Sequence, residues 1–223
     1  SGRVFARASS HAEGQVDGSR QTLRLGGLSW GPVVAEQWGL KTRTTDFFDV
    51  KADVEALNTS GVLRFEAAVH PAFHPGRTAR ILRDGKQVGW LGELHPRWVQ
   101  KYELETAPIL FELDTDLMTP VKVPAYAPVS AFPAVYRDLA VVVDAAMPVQ
   151  ALLDQLWADA PSVLRDIALF DQYQGKGVTE GEKSLAFRFT LQDTEKTLED
   201  QVVEVIMAKL LERLVAVGAN LRS

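Results

Sequence analysis

Apolar and polar positions change period several times along this chain, and the changes mark its elements. From Leu139 to Asp144 the period is two, with Leu139, Val141 and Val143 interleaved with Ala140 and Val142. That is the pattern of a strand with two different faces. Pro133 cannot serve a central strand, so the strand begins after it. The Arg137-Asp138 pair stands at the strand's mouth and, taken alone, reads as a solvated strand end, since buried charge is rare. After Pro148, which suits a first helical turn, the period lengthens: Val149, Leu152, Leu153, Leu156 and Trp157 fall on one helical face. Ile167 to Tyr173 returns to a strand, and Gln174-Gly175-Lys176-Gly177 with Gly181 supplies a hairpin loop. Lys183 to Leu191 alternates again, with Leu185, Phe187, Phe189 and Leu191 against Ser184, Ala186, Arg188 and Thr190. Thr197 with Asp200 three residues on resembles a capping box. It opens a predicted helix carrying Leu198, Val202, Ile206, Leu210, Leu214 and Val217, stopped by Gly218. Leu221 to Ser223 is a short last strand.

The order strand, helix, strand, strand, helix, strand is the split arrangement of ferredoxin-like domains. Two amphipathic helices cover one sheet face and leave the other open. Ser184, Ala186, Arg188 and Thr190 line that open face, joined by Ala140 and Val142 through the same alternation. Small residues with one arginine make a platform for a flat ligand; a face merely solvated or packed on another domain is the competing reading.

The first half reads as antiparallel strands with a few helices, an α+β pattern. Strands are predicted at Ser1 to Ala8, Thr22 to Leu25 (ending at Gly26-Gly27), Leu63 to His70, Thr78 to Leu82, Gln87 to Leu94 and Ile109 to Leu113. Asp84-Gly85 is a strong hairpin signal. Asp46 caps a predicted helix with Phe47, Val50, Val54 and Leu57 on one side, and Pro96 starts another through about Tyr102. Prolines 120, 124 and 128 favour an extended connector. The expected division is therefore residues 1–120, a linker at 121–131, and a second domain at 132–223.

Length and composition fit this picture. The 223 residues are 46% hydrophobic and 24% charged, ordinary for a globular protein of one or two domains. Cysteine is absent, which excludes disulfides, thiolate metal sites and a thiol nucleophile. No apolar run reaches the length of a membrane span and no signal peptide is visible, so a cytoplasmic protein is expected. The net charge of −5 resides in the second half: residues 1–124 carry 15 basic and 15 acidic side chains, residues 125–223 carry 9 and 14. A global basic footprint for nucleic acid is absent, so any RNA binding must be local or shared with a larger assembly.

Candidate catalytic chemistry is sparse. His70, His74, His95 and Glu93 are metal-ligand types, but prolines adjoin all three histidines and forbid a helical metal pair, so no metal is expected. The glycines match no phosphate-loop spacing, and no nucleophile elbow is present.

Specific segments sharpen this reading. Residues 132–144 (Phe-Pro-Ala-Val-Tyr-Arg-Asp-Leu-Ala-Val-Val-Val-Asp), 169–177 (Leu-Phe-Asp-Gln-Tyr-Gln-Gly-Lys-Gly) and 183–187 (Lys-Ser-Leu-Ala-Phe) resemble the ferredoxin-fold anticodon-binding domain. That domain closes the β subunit of bacterial-type phenylalanyl-tRNA synthetases. Arg3-Val4-Phe5, Asp46 to Leu57, His74-Pro75-Gly76-Arg77 and Gly89 to Pro96 resemble the preceding region of that subunit. The resemblance covers nearly the whole chain, in the right order.

It implies a C-terminal portion of the β subunit whose first domain is part of a catalytic-like class II synthetase module without catalytic residues, begun partway through. It implies a catalytic α partner in an (αβ)2 enzyme, with ATP and Mg2+ serving the full synthetase and no cofactor in this part. It also implies that the open face receives the anticodon of tRNA(Phe) through Ala140, Asp171, Tyr173 and Ser184. Arg137, Lys176, Lys183 and Arg188 are the candidates for phosphate contacts. Strict alternation, however, puts Asp171 and Tyr173 on the side of Ile167 and Leu169, so their use on the open face calls for a bulge or strand end near Phe170. Two other functions compete: an amino-acid-sensing regulatory module of the same fold, and an assembly scaffold.

Overall fold

A computed structural model describes residues 1–7, 18–58, 61–118, 126 and 128–222. The chain divides into two compact units, Ser1–Pro124 and Ala125–Ser223. The polar stretch after the first strand and most of the expected proline-rich linker lie outside the described residues. No helix among the described residues is long and apolar enough to cross a membrane.

In the first unit the strands are β1 (Gly2–Arg7), β2 (Ser19–Ser29), β3 (Leu63–Ala67), β4 (Phe73–Arg83), β5 (Lys86–Leu94) and β6 (Ile109–Asp114). They form one antiparallel sheet in the order β1-β2-β6-β5-β4-β3. Helix α1 (Phe47–Leu57) starts at Asp46, whose carboxylate accepts from the Phe48 and Asp49 amides, while Asp49 accepts from the Asp46 amide. This reciprocal cap satisfies amides that the first turn otherwise leaves open. Val50 and Val54 are buried against Leu63, Ile81, Leu91, Ile109 and Leu113; Leu57, at the helix's last position, stays half exposed. Burying a valine of this kind stabilises the unit by about 1.5–3 kcal/mol. Helix α2 (Pro96–Lys101) and the short α3 (Thr115–Met118) complete the unit.

β2 does not end at Gly26-Gly27 but runs through both glycines. The Phe111 side chain on the neighbouring strand occupies the space a Cβ at Gly27 would need, so glycine here serves sheet packing rather than a turn. The β4–β5 hairpin turns on Asp84 and Gly85 with φ of 50° and 75°, the positive pair a tight primed turn demands.

The second unit comprises β7 (Val135–Asp144), α4 (Val149–Trp157), β8 (Leu164–Tyr173), β9 (Glu182–Leu191), α5 (Asp200–Ala216) and β10 (Asn220–Leu221). Its sheet order is β10-β7-β9-β8, every neighbouring pair antiparallel. The two halves of the split βαβ thus interleave as the ferredoxin-like arrangement requires. Leu185, Phe187, Phe189 and Leu191 are fully buried with Val141, Val143, Leu152 and Leu156 under the helices.

Two helix expectations are corrected. α5 has Glu199 at its N-cap position with no side-chain cap, so the predicted Thr197 box does not form. Leu198 precedes the helix yet remains buried in the core. The buried stripe is Val203, Leu210 and Leu214, with Val202 exposed. A spacing of four advances about 40° beyond a full turn at each step, so a run of fours drifts off one face.

Candidate nucleic-acid interface

The open face of the second unit is set by register. Residues directly opposite in antiparallel strands share a face, and β9 lies between β7 and β8. Ala186 pairs with Ala140 on one side and Asp171 on the other; Ser184 pairs with Val142 and Tyr173. Arg188 stands between Asp138 and Ala168, and Thr190 between Tyr136 and Asp166. These four rows cross the face.

Asp171 and Tyr173 reach these rows through an irregularity in β8. Leu169 pairs with Phe187 of the core, yet Asp171, two residues on, pairs with Ala186, only one residue on. The extra residue of a bulge reverses the alternation beyond it. Ile167 and Leu169 therefore keep the helix side, while Asp171 and Tyr173 take the open side. Ala140, Asp171, Tyr173 and Ser184 are brought together by this one shift.

Their environments differ. Asp171 is exposed. Tyr173 is 38% exposed; its hydroxyl donates to the Lys176 carbonyl at 3.2 Å, bending the ring toward the hairpin loop. Gly175 lies so close that a Cβ there would sit 2.8 Å from the Tyr173 hydroxyl oxygen. Ser184 is only 3% exposed. Arg222, just beyond β10, donates from Nη1 to Ser184 Oγ at 3.1 Å, and its guanidinium lies 5.5 Å from the Tyr173 ring centre. Sequence reasoning assigned no role to Arg222; its position comes from tertiary pairing, because β10 pairs with β7 and the Arg222 amide donates to the Ala140 carbonyl.

The four expected phosphate contacts separate. Lys176 sits in the exposed hairpin loop. Arg188 is on the open face but engages Asp138 through two hydrogen bonds of 2.8 and 2.7 Å. That pairing lowers the Asp138 carboxyl's pKa and raises that of the Arg188 guanidinium. Arg137 pairs with the buried Phe189 and so points to the helix side, where its Nη2 meets Asp200 at 3.1 Å at the start of α5. Lys183, opposite Val143, is 8% exposed and donates from Nζ to the carbonyls of Ala145 and Met147 at 2.9 and 2.7 Å. Both placements follow from strand parity: odd-numbered positions of β7 and β9 face the helices. A lysine there is retained by satisfying the carbonyls of the turn before α4.

The three proline-adjacent histidines share one local task. Nδ1 of His70, His74 and His95 accepts from the amides of Ala72, Gly76 and Arg97, each two residues on, at 3.3, 3.0 and 3.1 Å. The imidazole plays the part of a turn-forming Asx side chain. Among the described residues no group of three or more His, Asp and Glu side chains converges as a metal site would require.

Comparison with known proteins meets this geometry from another direction. Residues 1–115 match the model of the phenylalanyl tRNA synthetase beta chain CLM domain, and residues 130–222 match the ferredoxin-fold anticodon binding domain. Phenylalanine–tRNA ligase beta subunits are similar along the whole chain. That of Dechloromonas aromatica is 51% identical over all of this chain and 28% of its own length. That of Ralstonia nicotianae is 49% identical over all of this chain and 29% of its own. That of Aromatoleum aromaticum is 45% identical over 99% and 28%. The chain thus spans less than a third of these relatives' lengths. With a family model covering more than half of its residues and the anticodon-binding fold in the remainder, the chain belongs to the phenylalanyl-tRNA synthetase beta chain family.

Proposed function

We infer that this chain is a portion of a phenylalanine–tRNA ligase β subunit whose second unit receives the anticodon of tRNA(Phe). The observation that carries the reading is the alignment of Ala140, Ala186 and Asp171 beside Val142, Ser184 and Tyr173. Tyr173 offers a ring on which a base stacks, worth about 1–3 kcal/mol. Asp171 accepts hydrogen bonds from the imino and amino groups of a guanine edge. Ala140 and Ala186 keep the sheet floor low, so a base edge approaches without meeting a side chain. Ser184 becomes available when Arg222 turns from it toward a phosphate, and Lys176 supplies a second cation at the loop. Arg188 enters as half of a pair with Asp138 rather than as a free charge.

In this reading the subunit works in the cytoplasm with a catalytic α subunit in an (αβ)2 assembly, charging tRNA with phenylalanine. ATP and Mg2+ serve the α subunit, and no residue of this chain is assigned to them. The six-stranded antiparallel sheet is then the later part of a class II synthetase-like module that supports assembly. The relatives' names and the matched CLM model support this placement.

The test is a titration of the chain with tRNA whose first anticodon base is varied, at low salt because phosphate contacts weaken steeply as salt rises. Asp171→Ala should narrow the gap between cognate and altered tRNA by about 1–3 kcal/mol, the value of one base-edge contact. An unchanged gap overturns the role of Asp171.

A further inference from the structure

The bulge that turns Asp171 and Tyr173 onto the open face leaves Phe170 as its extra residue. Phe170 has no cross-strand partner in the register and lies outside the hydrophobic core of its unit. Phe170 is 53% exposed within β8, a strand whose Leu164 and Ile167 are buried. The ring is nevertheless held: the Arg188 guanidinium lies 5.2 Å from its centre, and Arg188 is itself fixed by Asp138. A ring with one side steadied by a clamped guanidinium and much of its surface free is preorganised for stacking, since its rotamer is restricted before a ligand arrives.

Phe170 and Tyr173 stand at different rows of the sheet. Tyr173 is in register with Ser184, whereas the Phe170 ring is anchored at Arg188, four residues further along β9. At about 3.3 Å per residue those two anchor points are on the order of 13 Å apart. Across β9 from them, on β7, lies Tyr136, 60% exposed and opposite Thr190. The aromatic surface therefore continues from the Tyr173 row past the Asp138–Arg188 pair, beyond the positions already assigned.

Resting on the anticodon reading above, we propose that Phe170, steadied by Arg188, is a second stacking station that takes another unpaired base of the same RNA loop as the one on Tyr173. The ligand class is single-stranded RNA, recognised by the base's π-face and not by its edge, so this station tolerates any base.

The experiment uses the 223-residue chain at low salt and an RNA hairpin with the tRNA(Phe) anticodon loop. A fluorescent purine analogue is placed at each loop position in turn. Phe170→Ala should weaken hairpin binding roughly 5- to 150-fold, the span of one lost aromatic–base stack. It should also relieve quenching at one loop position, different from the position relieved by Tyr173→Ala. Phe170→Trp should restore both affinity and quenching. Because Phe170 is exposed, its melting curve serves as the control for folding. If Tyr173→Ala weakens binding and Phe170→Ala leaves it unchanged, the second station is overturned and the anticodon reading stands. Relief at the same loop position by both variants also overturns it. If the unsubstituted chain gives no saturable binding, the anticodon reading and the station fall together.

Discussion

In the six-stranded sheet of the first unit, the face away from α1 pairs opposite charges across its strands. Arg80 meets Glu66 directly across the strands at 2.6 Å, and Arg24 engages Glu112. Trp90 on that face is covered by the His70 ring 4.9 Å away. In the four-stranded sheet of the second unit, the face away from α4 and α5 leaves Tyr136, Phe170 and Tyr173 exposed around two alanines and an unshielded Asp171. Both sheets bury aliphatic and aromatic side chains under helices by the same alternation, so the covered faces carry no functional distinction. The difference lies in whether the opposite face spends its aromatic rings on internal contacts or leaves them presented. Fold alone does not assign a role; the arrangement on the open face does.

The comparison is broken most directly through the two cores. Phe187→Ala, at a fully buried position, should cost the second unit about 3–5 kcal/mol. Urea unfolding followed by Trp157 fluorescence should show the loss. Trp30, Trp38, Trp90 and Trp98, in a Trp157→Phe background, should report an unchanged transition for the first unit. An equal shift in both would show that the units do not unfold separately.

A smaller effect is expected from Gly89→Ala in the first unit. The added methyl would press on the Glu112 backbone carbonyl of the neighbouring strand, which cannot swing aside as a side chain would. Overpacking of this kind costs about 1–3 kcal/mol. The first unit's unfolding midpoint should fall, while RNA binding by the open face of the second unit keeps its selectivity. A variant as stable as the parent would mean that the two strands separate at little cost.

The smallest effect concerns pH. Hydrogen bonds from the Arg43 guanidinium, followed by the Asp46 amide, hold the Asp49 carboxyl at about 2, below its ordinary 3.8. A carboxyl depressed by folding contributes stability that is full above its unfolded value and is lost as pH falls through the folded one. The first unit should therefore lose stability between about pH 4 and about pH 2, and Asp49→Asn should flatten that limb. A limb of identical slope in the variant would remove Asp49 from the acid response.

Much of the architecture was legible from residue order. Alternation identified Leu185, Phe187, Phe189 and Leu191 as core and Ser184, Ala186, Arg188 and Thr190 as open face, because a period of two is a local property of an extended chain. Asp46 and the Asp84-Gly85 turn were equally readable, since caps and tight turns are settled within four residues. The helix-side placement of Arg137 and Lys183 was legible too, from their odd positions, although their positive charge alone suggested phosphate contacts. Val202 and the Thr197 cap failed because a helix's exact start and phase depend on what it packs against.

The sequence by itself determined the element order, the apolar and small-residue faces of the sheet in the second unit, and the resemblance that led to the family. Tertiary structure alone decided which residues share the open face of β8. A bulge inserts a single residue, and nothing within Leu169-Phe170-Asp171 says where the partner strand's ladder slips. That slip depends on the simultaneous pairing of Leu169 with the buried Phe187 and of Asp171 with Ala186. It is therefore a property of two strands meeting over a core rather than of either strand alone.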